Sequence, residues 1–592
     1  MTIKEKISYL LMGIALFMSA MLSGGLKWQD CILAMLCLLA LVVFSGKIKR
    51  IKYSVPLMLL MILSFVSVFI TLGNPQTSIY EIYKFNCFII AVLAGYLLRD
   101  SIKILKIIFI TAFIVAVFGI LACLGIINFD EFIFNDGGIV RLQSFIKYAN
   151  TTACFLGVGY ISFLKLFLEE KKNIYLYMGS IVLIALYFTF SKAMIPIFLV
   201  LSTFYIYRKK ELSSIFLVQN IASMILLGLM LLLVPERMYL VLFIAVAVAT
   251  IISGKAKENE NSFKIWVLVL ALIFAGAIAL VILKPSLAGT FIKRLEYSKD
   301  AIGLIKENPL LGTGFGSWRV LQYKIQTTQY NVTYLHNGIL EMIIENGILF
   351  TVIFLSTVIY GAVNAVKREE YHLVLITLMI LIHSLVDCDL SFGVILILLG
   401  LVVGRMLPEK DSVRIPERIV NYILVVFLSV SAVYMLSEYA LRYSFEKAYI
   451  AEDYDKASEK LNKLSKLSPL DAELKITEAA FMEMENDISG TREKIEKAIE
   501  LSSNDPGIYE TYITYNLKEE NAENLLMNYI KIAPKQERTY NFIKEILKEA
   551  KKTNNITGDT YQEIYDKIEN IRIKEEVIDR NELLSQIVKD GK

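Results

Sequence analysis

Charge is scarce in this chain, and histidine is scarcer. Only 20% of its 592 residues are Asp, Glu, Lys or Arg, 56% are hydrophobic, and three are histidine. A soluble protein carries more charge, on the order of 25%. Runs of about ten residues with alternating polarity are missing, which excludes a transmembrane β-barrel. The six cysteines (Cys31, Cys37, Cys87, Cys123, Cys154 and Cys388) all lie in or beside apolar segments. They offer neither a disulfide framework nor a metal-ligand spacing, so no metal or other cofactor is expected. No small-residue cleavage site follows the first apolar run, which therefore reads as a span and not as a cleaved leader.

What is present is a succession of apolar runs of about 16 to 25 residues, each able to cross a hydrocarbon core. Spans are expected near 7–24, 29–46, 54–72, 80–98, 104–127, 145–167, 174–190, 193–207, 212–234, 238–253, 265–283, 338–365, 371–389, 392–406 and 419–437. The fold class is all-α: a polytopic membrane helix bundle of about 14–15 spans, residues 1–437, with a C-terminal soluble helical-repeat domain, residues 438–592. Basic residues follow every even-numbered span, for example Lys47 after the second, Lys171 and Lys172 after the sixth, and Lys367 and Arg368 after the twelfth. The positive-inside rule then places the N-terminus in the cytoplasm. The large loop 284–337 and everything beyond residue 437 face the other way, where nucleotide-linked donors are not expected.

Within that loop, Phe291, Leu295, Ile302 and Ile305 recur at helical spacing. They predict an amphipathic helix over 285–307, lying along the membrane surface. After Tyr439 the chain turns rich in Lys, Glu and Asn, and Pro469, Pro506 and Pro534 each close a helix-like stretch. The stretch from Phe445 to Pro469 resembles a tetratricopeptide unit. About three such units with a helical end are expected, since helix pairs need stacked neighbours; the alternative is an irregular helical bundle. An envelope protein is the partner expected for this domain. Its mixed charges are a solvated surface and not a nucleic-acid footprint.

The stretch Asn308 to Gly347 is the candidate reactive centre. It holds His336 and the turn Gly312-Thr313-Gly314-Phe315-Gly316, and it ends with Asn337, Glu341 and Glu345 spaced to share one helix face. That helix is expected to run straight into apolar sequence, where carboxylates are costly unless paired or functional. A dinucleotide loop is excluded at Gly312 and Gly314, because no strand precedes them. They suit a tight turn that lets backbone approach a ligand, a phosphate on backbone amides included. His383 and Asp387 are expected on one polar face of an apolar helix. They form either a buried hydrogen-bonded pair that orients its neighbours or a support for the site. Asp387-Cys388-Asp389 has the spacing of a metal-binding pair in cytoplasmic transferases, but at the opposite membrane face. His372, after the charged stretch Lys367–Glu370, receives no role. Arg141, Lys192 and Arg294 each suit a lipid-headgroup anchor. Together with His336 they suit a diphosphate.

Asn308-Pro309-Leu310-Leu311-Gly312-Thr313-Gly314, then His336-Asn337, then Glu345-Asn346-Gly347, resemble the hallmark loop of the bacterial O-antigen ligase and O-antigen polymerase family. Arg141 with Asn150, Ser191-Lys192, and His383 to Asp387 resemble flanking motifs of that family, over roughly residues 130–405. Lys192 stands where the family has arginine, and Ala149 stands where it has proline. The resemblance implies transfer of a glycan from a polyprenyl-diphosphate carrier to a glycan, lipid or protein hydroxyl, at the outer face of the bacterial cytoplasmic membrane. It implies a metal-independent, inverting displacement. His336 would be general base, Arg141, Lys192 and Arg294 would hold the leaving diphosphate, and Asn337 and Glu345 would orient His336 or bind sugar hydroxyls. Two other readings are a transporter for lipid-linked sugars and a membrane-anchored scaffold whose helical tail recruits envelope proteins.

Overall fold

The computed structural model describes residues 2–48, 51, 53–98, 100–136, 138–232, 260–284, 288–408 and 415–575. The first half comprises α1 (Ile3–Met21), α2 (Ile32–Phe44), α3 (Ser54–Ile70), α4 (Pro75–Leu97) and α5 (Ser101–Cys123). A hairpin, β1 (Ile133–Asp136) and β2 (Ile139–Leu142), precedes α6 (Ala149–Glu170), α7 (Asn173–Phe188), α8 (Met194–Arg208) and α9 (Ser213–Leu232). Then come α10 (Glu260–Leu283), α11 (Gly289–Ile305), α12 (Trp318–Ile325), α13 (Gly338–Lys367), α14 (Tyr371–His383), α15 (Gly393–Met406) and α16 (Ile415–Ile450). The chain closes with α17 (Tyr454–Leu467), α18 (Ala472–Met484), α19 (Ile488–Leu501), α20 (Pro506–Asn516), α21 (Ala522–Ile532), α22 (Glu537–Lys552) and α23 (Gly558–Lys574).

The fold is all-α, with the hairpin as a small addition. Seven helices among the described residues are long and apolar enough to cross a membrane: Pro75–Leu97, Ser101–Cys123, Ala149–Glu170, Lys210–Gly228, Asn261–Leu283, Gly338–Lys367 and Glu417–Ile450. Six shorter apolar helices of 10–17 residues accompany them. The expected span at 238–253 lies outside the described residues. Side chains such as Phe69, Leu272, Leu283 and Val430 stay exposed on the outer surface, as a lipid-facing bundle requires.

Loops sort to two ends. At one end Tyr53 meets Tyr360, Arg368 donates to the Met406 carbonyl, and Lys171 pairs with Glu211. At the other, the α3–α4 loop, the loop between α11 and α13 and the turn after α14 interlock: Leu72 N–H donates to Thr313 O, and Gly338 N–H to Ser384 O.

Two expectations are corrected. The helix that begins at Gly338 does not run straight into the membrane. It breaks at Gly347, where φ is 79° and ψ is 169°. The break frees carbonyls, and the glycine turn takes them: Thr313 N–H donates to Ile344 O and Gly314 N–H to Glu345 O, while Ile348 N–H donates to Pro309 O. A Cβ on Gly347 would lie 2.1 Å from the Leu310 oxygen, and one on Gly312 would lie 2.4 Å from the Glu345 carbonyl. The second correction concerns Asp387. The helix expected over 371–389 ends at His383, so His383 and Asp387 do not share a helix face. Ser384 to Phe392 is instead a chain of turns in which the carbonyls of Ser384 and Asp387 accept from Gly338 N–H.

α11 keeps Phe291, Leu295 and Ile302 exposed, and it buries Ala301 and Leu304, which the spacing does not single out, in a cluster with Trp318 and Leu321. α16 runs unbroken through residue 437, so the change from apolar to charged sequence falls within one helix. Beyond it the helices α17 to α23 lie on the end of the bundle that holds the α3–α4 loop: Asn504 Nδ2 donates to Leu72 O at 2.9 Å, and Gln536 Nε2 to Tyr330 O at 3.2 Å.

Candidate functional site

Asp387 is the centre on which the candidate residues converge. It is fully buried, in the turn between α14 and α15. Its Oδ1 accepts from the Tyr148 hydroxyl at 2.8 Å and from Cys388 N–H at 2.9 Å. The same oxygen lies 3.4 Å from His336 Nδ1. Its Oδ2 accepts from Asn150 Nδ2 at 2.7 Å and from Arg294 Nη1 at 2.9 Å. Burial alone raises this carboxyl, but the His336 hydrogen bond and the cations Arg294 and His383 outweigh it and hold the group well below the usual carboxylate range. A buried carboxylate so surrounded stays ionised and is an acceptor only.

His336 therefore presents Nδ1 to a carboxylate and keeps Nε2 unengaged among the described residues; its side chain is 22% exposed. This is the arrangement in which a carboxylate fixes one tautomer and leaves the other nitrogen able to take a proton. Arg294 reaches in from the surface helix α11, with a second hydrogen bond to the Val386 carbonyl. Burial disfavours its charge, yet Asp387 and Tyr148 more than compensate and raise its pKa. Its Nε is buried without a partner among the described residues.

Arg141 comes from β2, opposite Phe134 in the hairpin register. Its Nη2 donates to Asn150 Oδ1 at 2.8 Å and its Nε to the Thr189 carbonyl at 2.9 Å. Asn150 thus relays Arg141 to Asp387. Side chains of Arg141 and Arg294 are each 16% exposed, so both reach the surface of the site. Lys192 does not join them. It is exposed on the turn after Thr189 and forms no hydrogen bond or ion pair among the described residues.

His383 has a different partner from the one expected. Its Nδ1 bonds Asp389 Oδ2, and Asp389 Oδ1 accepts from Thr151 at 2.8 Å. The fold brings together two sets of three possible metal-ligand atoms within 4.8 Å of one another: Cys154, His383 and Asp389, and His336, Asp387 and Cys388. Every carboxylate oxygen in both sets is already engaged by a protein donor.

The other expected residues serve elsewhere. Asn337 caps α13, accepting Leu340 N–H at 3.0 Å. Glu345 accepts Trp318 N–H at 3.1 Å and so fixes the start of α12. Gly312 and Gly314 spend their amides on Asn308 O and Glu345 O, so the expected backbone approach to a ligand gives way to packing around the helix break. Glu341 is buried, with Oε2 unpartnered among the described residues, in a small chamber shared with Glu81, Lys84, Tyr334 and Glu345.

That chamber contains groups that sequence reasoning missed. Lys84 pairs with Glu81 at 2.7 Å and donates to Leu26 O, Ser391 O and Tyr334 Oη. Arg319 Nη2 bonds Glu81 and donates to Tyr334 Oη at 2.7 Å. This network ties α4, α12, the segment leading to His336 and the turn holding Asp387. The signal that could have found it is Glu81 and Lys84 three apart inside an apolar helix, since intramembrane charges seek partners. Tyr148, two residues before Asn150, had no such signal.

Residues 177–355 match the family model described as O-antigen ligase. The matched stretch includes Lys192, Arg294, the glycine turn and His336; Arg141, Asn150 and Asp387 lie outside it and are brought to it by the fold. No curated protein matches the chain.

Proposed function

We propose that this chain, a multi-pass membrane protein of the O-antigen ligase family over residues 177–355, moves a glycan from a polyprenyl-diphosphate carrier to a hydroxyl acceptor. The acceptor class is a cell-surface sugar, lipid or protein. The observation that carries the reading is the single carboxylate, Asp387, that joins the imidazole of His336 to the guanidinium of Arg294 and, through Asn150, to Arg141. A base and two cations are what the reaction asks for. His336 Nε2 takes the acceptor proton as the hydroxyl attacks the anomeric carbon. Arg294 and Arg141 stabilise the charge that develops on the departing diphosphate. With that charge met by guanidinium groups, the displacement needs no metal, and one direct step inverts the anomeric centre. Lys192 is an accessory headgroup contact in this scheme and not a member of the core.

The site faces outward from a bacterial cytoplasmic membrane, with the N-terminus inside, since basic residues such as Lys47, Lys171 and Arg368 lie in loops of the opposite end. The helices beyond residue 437 form a tetratricopeptide-like domain on the outer side. The test is complementation of a host deletion with wild type, His336→Ala and Arg141→Ala at matched expression, with envelope glycans resolved by size. Accumulation of short lipid-linked units in both variants supports a polymerase. Accumulation of long lipid-linked polymer supports a ligase. Glycans equal to wild type in both variants sink the assignment.

A further inference from the structure

A second concavity lies at the seam between the C-terminal helices and the bundle, with a volume of about 350 Å³. From the bundle side it is walled by Gly316, Arg319, Tyr323 and Asn331, and from the C-terminal side by Glu473, Asp505 and Arg538. Clefts for small ligands run from about 300 to 1,000 Å³, whereas a folded protein partner docks on a flatter and wider face of roughly 800 Å² per side. The lining alternates carboxylate, amide and guanidinium groups with a tyrosine ring. It has no long apolar strip for a prenyl tail and no single-sign charge for a polyanion. Neighbouring hydroxyls on a sugar are met by groups of both donor and acceptor type, and its C–H face is met by an aromatic ring.

Two walls already have structural duties. Arg538 bonds Glu510, and the Tyr323 hydroxyl donates to Asn331 at 3.1 Å. Glu473 does not. Its side chain is exposed within the concavity and forms no hydrogen bond or ion pair among the described residues. Burial of its surroundings, with Asp471 and Asp505 near, raises its carboxyl above the usual range. Arg319 links this concavity to the site, because its Nη2 also holds the hydroxyl of Tyr334, two residues before His336.

We infer that the seam groove is a binding site for the sugar acceptor, holding a short hydroxyl-rich oligosaccharide segment between the C-terminal helices and the Arg319 wall. The inference rests on the glycan-transfer reading above. It gives the C-terminal helices a task in catalysis: an acceptor held here is linked through Arg319 and Tyr334 to the segment that leads to His336.

The experiment uses full-length protein in lipid nanodiscs. The probe is an oligosaccharide mixture made by partial acid hydrolysis of the host's own envelope polysaccharide, with binding followed by isothermal titration and saturation-transfer NMR. Wild type and His336→Ala are expected to bind alike. Glu473→Gln and Tyr323→Ala are expected to lose at least about tenfold in affinity (1.4 kcal/mol per tenfold) while melting within a few degrees of wild type. In complemented cells both groove variants are expected to give shorter polymer but not to abolish it. Failure of the wild type to bind, or affinity equal to wild type in both groove variants, overturns the inference. So does selective binding of an unglycosylated envelope peptide, which makes the groove a protein site. If groove binding holds but His336→Ala leaves cellular glycans unchanged, the transfer reading fails and the groove stands as a glycan-binding site alone.

Discussion

His336 and Asp387 are 51 residues apart in sequence and meet at 3.4 Å, Nδ1 to Oδ1. Neither residue is remarkable alone: one is a half-buried imidazole in a loop, the other a carboxylate in a turn between two apolar helices. Their meeting depends on Gly338, whose N–H donates to both Ser384 O and Asp387 O and so pins the start of α13 to that turn.

Replacing Asp387 with Asn keeps the shape and removes the charge. The account predicts a fall in transfer rate of about 10²–10⁴-fold, the scale on which orienting carboxylates act. Arg294 loses its charge partner in this variant, so folding is checked first by melting in detergent. A rate within threefold of wild type in a folded Asp387→Asn protein contradicts the orienting role.

The pH dependence follows from the same pair. The folded-state pKa of Asp387 is depressed, so its stabilising contribution is present above the ordinary carboxylate pKa and is lost only as pH falls through the folded value. Between about pH 5 and 9 its charge is constant. The gap in melting temperature between wild type and Asp387→Asn is therefore expected to stay constant across that window. A gap that closes within that window would contradict the depressed carboxyl.

Arg294→Lys retains the positive charge and loses the guanidinium group whose Nη1 bonds both Asp387 and Val386. Donor KM is expected to rise at least about tenfold, whereas Lys192→Ala, at an exposed position, should change it less than about threefold. The reverse order of effects would restore Lys192 to the core of the site.

The helix break makes a separate prediction about stability. Gly347→Ala adds a Cβ 2.1 Å from the Leu310 oxygen at a residue with φ 79°. The strain is worth at least about 1–3 kcal/mol, read as a lower melting temperature and a reduced yield. Glu81→Gln should destabilise by about 3–5 kcal/mol, because Lys84 is left buried without its closest anion, and Glu81→Gln with Lys84→Met together should recover part of that loss. A double variant no more stable than the single one would show that the pair is not the unit that matters.

Helix positions were largely legible, because apolar runs of spanning length have few alternatives in a bilayer. Asn173–Phe188 and Gly393–Met406 fall within two residues of the expected 174–190 and 392–406. His336 is singled out by its rarity and Arg141 and Arg294 by their charge in outward segments, and the fold brings all three around one carboxylate. What was hidden depends on backbone geometry at helix ends. Asp387 is separated from His383 by the end of α14, and periodicity carries no notice of that end, since the residues that follow, Leu385 and Val386, are still apolar. Gly347 sits inside a pattern that reads as continuous helix, and its positive φ is set by the strand of turn residues packed beside it. Asn337 illustrates a different limit. Its place next to His336 suggested chemistry, yet a residue at that position before a helix is also the natural cap, and capping is what it does.

The most direct measurement is transfer by purified protein in liposomes, supplied with the host's own polyprenyl-diphosphate glycan and an acceptor, with the new linkage read by NMR. Wild type is expected to release polyprenyl diphosphate and form product with inverted anomeric configuration, and His336→Gln is expected to lose at least about a hundredfold in rate while still binding donor. Product with retained configuration, or an undiminished rate in His336→Gln, would contradict the account.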